Sequence, residues 1–170
     1  MLVYLSGSIE CSPDRGRGWR TALAPFLTSL GHEVYDPAAD ERKNLTPDEQ
    51  RDFRAWKHSD LPRFQQVIRK IIAYDLDWIE HRTDYVIAYW DHFATRGAGT
   101  QAELSAAHRR GIPVYLVSAM PIAAVSGWML GCATEVFLSF EALKIFLQQR
   151  YESAEEVLPA ESLASTAGLP

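Results

Sequence analysis

The sequence predicts an α/β fold in which a parallel sheet of about five strands carries helices on both faces. Three observations lead there. The strand candidates are near-continuous apolar runs, as expected where both faces are covered. Segments of helical period separate them, and Gly, Pro or Asp punctuates most of the junctions. Right-handed crossovers then place helices over both surfaces, and ligands of such sheets bind beyond the carboxyl ends of the strands.

Leu2 to Ser6 is the first apolar strand, ending in the turn residues Gly7-Ser8. A helix follows from about Gly18 to Leu30, stopped by Gly31, and Pro25 within it predicts a kink or a break. His32 to Tyr35 is a second strand closed by Asp36-Pro37. From Ala38 to Asp60 the chain is polar and charged, a surface excursion or lid holding a short helix begun by Thr46-Pro47-Asp48-Glu49, which has capping-box spacing. Phe64, Val67, Ile68, Ile71, Ile72, Leu76 and Ile79 recur at helical spacing and define an amphipathic helix. Tyr85 to Tyr89 is a β-branched and aromatic strand, and Gly97-Ala98-Gly99 leads into a helix from Thr100 to about Arg110. Val114 to Val117 is another strand. An irregular stretch, a short strand near Val136 and a helix from about Phe140 to Tyr151 complete a single domain over 1–151. Residues 152–170, rich in Ala, Glu and Ser, are expected to form a mobile tail.

The 170 residues suit one core, and a hydrophobic fraction of 47% with 23% charged residues carries neither a disordered nor a membrane bias. A formal charge of −5 opposes a polyanionic duplex, so the expected partner is a small molecule, with no nucleic-acid polymer and no membrane. The start lacks a basic segment followed by a long apolar one, which makes the cytoplasm the expected location. Cys11 and Cys132 form no C-x-x-C pair, and neither a metal nor a cofactor is called for.

Thr100-Gln101-Ala102-Glu103 has the spacing of a capping box, in which Glu103 only reaches back to the backbone of Thr100. A second reading stands beside it. Gly97 and Gly99 let backbone approach a ligand closely, and a carboxylate in the first helical turn is favoured in its charged form, as a nucleophile requires. Asp75 falls on the apolar stripe of its helix; if desolvated, its pKa rises and it carries a proton at neutral pH beside an ionised Glu103. The turn Gly7-Ser8-Ile9 offers N–H groups to a sugar or phosphate, and Arg15, Arg17 and Arg20 stand near enough in sequence to meet a phosphate or to form a solvated patch. Trp90 and Trp128 either stack a base or simply pack. The single Gly-Ala-Gly-Thr is neither a P-loop nor a dinucleotide fingerprint.

Three pieces of the chain, in this order, resemble the nucleoside 2-deoxyribosyltransferase superfamily, which includes deoxynucleoside monophosphate N-glycosidases. They are Val3-Tyr4-Leu5-Ser6-Gly7-Ser8-Ile9, then Tyr74-Asp75-Leu76-Asp77-Trp78-Ile79 with Thr83-Asp84-Tyr85-Val86-Ile87, then Gly97-Ala98-Gly99-Thr100-Gln101-Ala102-Glu103-Leu104 with Gly111-Ile112-Pro113-Val114. The resemblance implies a flavodoxin-like or Rossmann-like sheet assembled into a homo-oligomer, dimer or higher. It implies Glu103 as the nucleophile, Asp75 as the acid engaging the base, Tyr4 as the residue positioning the glutamate and Asp91 as a base contact. The activity implied is cleavage or transfer at the N-glycosidic bond of a (deoxy)nucleoside or nucleotide; hydrolysis without base exchange and a non-catalytic nucleotide sensor are the alternatives. The charged excursion after Asp36-Pro37 departs from a minimal member of that family.

Overall fold

In the computed structural model, which describes residues 1–40 and 42–151, each strand expected from the sequence forms. These are β1 (Leu2–Gly7), β2 (Glu33–Tyr35), β3 (Tyr85–Trp90), β4 (Val114–Ser118) and β5 (Glu135–Phe137). They form one sheet in the order β2-β1-β3-β4-β5, with every pairing parallel. The order reverses between β1 and β3, so the crossovers leave those two strands in opposite directions and a crevice opens at their carboxyl ends. The tail expected over 152–170 lies outside the described residues.

Period-two alternation sorts the side chains of the buried strands into two cores. Val3, Leu5, Tyr85, Ile87, Tyr115 and Val117 face helices α1 (Arg17–Ser29) and α6 (Phe140–Tyr151), whose Leu23, Leu27, Leu143 and Leu147 are buried against them. Tyr4, Val86, Ala88, Trp90, Val114 and Leu116 face the other way. They meet Ile79 of α3 (Leu61–Arg82), Leu104 and Ala107 of α4 (Ala98–Arg109), and Met129 and Cys132 of α5 (Gly127–Cys132). α2 (Pro47–Ser59) packs outside α3, with Phe53 stacked over Phe64. Its start is a complete capping box: Glu49 N–H donates to Thr46 Oγ1 at 3.2 Å, and Thr46 N–H to Glu49 Oε2 at 2.9 Å. No helix among the described residues is long and apolar enough to cross a membrane.

Three expectations change. α1 runs unbroken through Pro25, which sits on the helix's exposed side, where water can serve the Thr21 carbonyl that loses its intrahelical donor. α5 occupies part of the stretch expected to be irregular. α4 begins at Ala98, not Thr100, with Gly97 as the residue before its first turn.

Arg20 is also reassigned. Its side chain is buried and donates to three carbonyls: Leu5 O at 3.2 Å through Nε, Gly16 O at 2.8 Å through Nη1 and Gly7 O at 3.0 Å through Nη2. Asp36 Oδ1 lies 3.3 Å from Nε. The guanidinium therefore ties the end of β1 to the start of α1 and the end of β2, and its donors face the protein instead of a phosphate. Gly16 is obligatory beneath it: its φ is 68°, and a Cβ there would come within 2.3 Å of both Arg20 Nη1 and the Ser8 carbonyl. Replacing Arg20 by Met should lower the unfolding free energy by about 3 kcal/mol, because Asp36 and three carbonyls lose their donor. Arg20→Lys should recover little, since an ammonium cannot reproduce the planar fork. Urea denaturation of the three proteins checks this.

Candidate active site

The site begins on β1, where strand alternation directs Tyr4 and Ser6 to the same side of the sheet. Both reach Glu103 on α4. Tyr4 O–H donates to Glu103 Oε1 at 2.9 Å and Ser6 Oγ–H to Oε2 at 2.5 Å, so each carboxylate oxygen has its own neutral donor. Tyr4 and Ser6 are fully buried, and Glu103 is half-buried. Burial pushes the Tyr4 phenol well above its ordinary range, and the charges of Glu103 and Asp75 push it further, which keeps its proton in place to donate.

With α4 starting at Ala98, Thr100 is inside the helix and Glu103 lies in its second turn, beyond the reach of a capping box. Neither the cap nor first-turn stabilisation by the helix dipole describes Glu103; the two hydroxyls of β1 do. Ser6 was not singled out from sequence, although a polar residue two positions from Tyr4 on an apolar strand is a usable signal.

Asp75 lies on α3 with 9% of its surface exposed. Burial raises its pKa to about 6 against the opposing pull of Lys43, and the charges of Glu103 and Asp40 add to the rise. The expected direction holds, but the group is mostly ionised at neutral pH. Lys43 accounts for that. Its ammonium stands 2.7 Å from both Asp75 oxygens and is itself 9% exposed. This residue, from the charged segment after β2, was invisible as a site candidate because nothing in a polar loop announces which charge turns inward.

An aromatic wall surrounds the acidic groups. Tyr35 stacks on Trp78 at 4.0 Å between centroids and packs beside Tyr4 at 5.3 Å. Tyr35 and Tyr74 both donate to Asp40 Oδ2, at 3.1 and 2.9 Å. Burial works against the charge of Asp40, yet these bonds and the Lys43 N–H outweigh it and hold the carboxyl below its ordinary range.

Beside the ends of β1 and β3 is a cavity of about 320 Å³ lined by Ser8, Asp14, Trp19, Tyr89, Asp91 and Phe93 among others; Glu103, Asp75 and Tyr4 are not among its lining residues. Its size suits a small ligand. Gly7 is the last residue of β1; a Cβ there would meet the Trp19 ring at 3.1 Å, and its carbonyl is taken by Arg20. Ser8 lines the cavity, and Ile9 follows it in a half-buried bend. Asp91 uses Oδ1 to accept the N–H groups of Phe93 and Ala94 at 2.9 and 2.8 Å. Gly97 and Gly99 have open space where a Cβ would stand. Of the two tryptophans, Trp90 is buried in the core, whereas Trp128 is 71% exposed on α5. A wider hollow of about 700 Å³ follows α1, but its charged groups, Arg20 and Asp36, already pair with each other.

No protein-family model matches the chain, and no curated protein does. Among solved structures, a 2-deoxyribosyltransferase from the psychrotolerant bacterium Bacillus psychrosaccharolyticus aligns with a TM-score of 0.54 at 19% identity, over 85% of this chain and 90% of that one. At that identity the likeness establishes a shared fold.

The raised pKa of Asp75 has a consequence for stability. The folded protein holds this proton up to about pH 6, whereas the unfolded chain releases it near 3.8. The stability contribution of Asp75 is therefore full below the lower value and is lost as pH rises through the upper one. Relative to Asp75→Asn, the wild type should lose on the order of 3 kcal/mol of unfolding free energy between about pH 4 and about pH 7. Parallel urea titrations across that range test it; a difference that stays constant means Asp75 is not desolvated.

Proposed function

We propose that the protein breaks or exchanges the N-glycosidic bond of a (deoxy)nucleoside or nucleotide, with Glu103 attacking the anomeric carbon. The observation that carries this reading is the clamp on Glu103: two neutral hydroxyls fix both carboxylate oxygens without cancelling their charge, beside a second, buried carboxylate in Asp75. The solved 2-deoxyribosyltransferase with the same fold supports it.

In this mechanism the bond from the anomeric carbon to the base breaks and its electron pair leaves with the base, which takes a proton from the side of Asp75 and Lys43. Glu103 meets the oxocarbenium-like carbon from the opposite face and forms a glycosyl ester. A second attack, by water or by another base, releases Glu103 and restores the original configuration. Tyr4 and Ser6 aim the carboxylate, Asp91 and Ser8 meet the ligand in the crevice, and Gly7, Ile9, Gly97, Gly99 and Thr100 shape the backbone around it.

Incubation with a panel of deoxynucleosides and their 5′-monophosphates, with and without a second free base, should release or exchange base, followed by chromatography. Exchange identifies a transferase and release alone a hydrolase. Glu103→Ala should lose at least ~10³-fold in kcat, and Tyr4→Phe or Ser6→Ala on the order of 10²-fold through misalignment of the carboxylate. No turnover of any panel member, or full activity in Glu103→Ala, would falsify the mechanism.

A further inference from the structure

We propose that the proton delivered to the leaving base comes from the Lys43 ammonium, oriented by Asp75, and not from a neutral Asp75 carboxyl; this rests on the glycosidic reading above. The geometry leaves Asp75 little freedom to act alone, because both of its oxygens accept from Lys43 Nζ at 2.7 Å. An ammonium has three N–H donors. Two serve Asp75, and the third has no acceptor among the described residues, although the side chain is nine-tenths buried. A buried donor without an acceptor is costly, so this N–H is an open position for an acceptor on a ligand.

The backbone is distorted to deliver this side chain. Lys43 and Asn44 both have left-handed φ values, 36° and 60°, in a segment with no glycine between Tyr35 and Pro47. Such conformations persist in non-glycine residues only where surrounding contacts hold them, and they cluster at functional sites. Here Asp40 Oδ1 accepts the Lys43 N–H at 3.3 Å and the Arg42 carbonyl accepts Leu45 N–H at 2.6 Å, closing the turn that points Lys43 inward.

The groups facing Asp75 are few. Glu103 comes from α4, Tyr4 from β1, Tyr35 from β2, and Asp40 with Lys43 from the loop after β2. Among the described residues these three carboxyl groups and two tyrosines lie around Lys43, while the other nearby cation, Arg20, has its donors taken by backbone carbonyls. Lys43 is thus the charged proton donor among them, and the acceptor it suits is an unprotonated ring nitrogen of a purine or the 2-carbonyl oxygen of a pyrimidine. As the glycosidic electron pair moves onto the base, the proton passes from Nζ to that acceptor. The neutral amine left on Asp75 regains a proton from water after the base departs.

A substrate that needs no proton separates this role from a structural one. An N7-methylated purine deoxynucleoside expels a neutral base unaided, so an acid is superfluous for it. Lys43→Met should lose at least ~10²-fold in kcat on the unmodified purine deoxynucleoside and at least about ten times less than that on the methylated one, after correction for spontaneous loss. Lys43→Arg keeps the ion pair and the fold but should not restore kcat on the unmodified substrate, since guanidinium holds its proton too tightly. Equal losses on both substrates would overturn the proposal, as would higher activity of Lys43→Met at neutral pH, which would identify the released Asp75 carboxyl as the acid. Turnover of neither substrate by the wild type sinks the glycosidic reading and this proposal together; an active wild type with indifferent Lys43 variants sinks this proposal alone.

Discussion

A hydroxyl at Tyr4 and another at Ser6 hold one carboxylate because both point to the same face of β1, an interior strand paired with β2 on one side and β3 on the other. Its alternation sends Val3 and Leu5 into one core and Tyr4 and Ser6 toward the opposite helix layer. A slip of one residue would exchange the two sets and leave Glu103 facing apolar side chains. The register of β1, fixed by burial on both faces, therefore fixes the carboxylate on α4. The same register brings the ends of β1 and β3 level, with Gly7 opposite Tyr89, and so forms the floor of the crevice.

Buried charge is handled in two different ways around that strand. Arg20 is surrounded by carbonyl oxygens at the end of β1, a neutral set of acceptors with one carboxylate nearby, and its position joins three elements. Lys43 and Asp75 form a compact pair that joins a loop to a helix. Such a pair is rarely the most stable solution, because desolvating two ions offsets much of their attraction and apolar residues of similar volume do as well or better. That Asp75 keeps a raised pKa while in contact with a cation shows how strongly its burial opposes the charge. A fold that needed only a stable contact between α3 and the loop after β2 had simpler choices.

The middle of the sheet was legible in the sequence because β1, β3 and β4 are buried on both faces and so appear as unbroken apolar runs, and α3 because its stripe spans several turns. The start of α4 was misplaced by two residues. Gly97-Ala98-Gly99 is a poor helix former, and only its attachment to the β3 end and the packing of Leu104 and Ala107 make it helical. α5 was missed for a related reason: six residues with Gly127 and Gly131 show too little period to register. At the site, Glu103, Asp75 and Tyr4 were named from sequence, and the structure draws them into one electrostatic neighbourhood. Ser6 and Lys43 were not named. Their partners lie 97 and 32 residues away along the chain, and no local pattern encodes a contact at that separation.

The two carboxylates differ less in burial than in the charge of their donors. Glu103 is held by two neutral hydroxyls, which orient its lone pairs and bring no opposite charge of their own. Asp75 is held by a cation, so its charge is balanced where it stands. In the proposed mechanism, a carboxylate held only by neutral donors suits the attacking group, and one paired with a cation suits the anchor for an acid. Two side chains of the same chemical type thus stand in different surroundings, and the difference comes from a strand that offers hydroxyls to one and a loop with left-handed residues that offers an ammonium to the other.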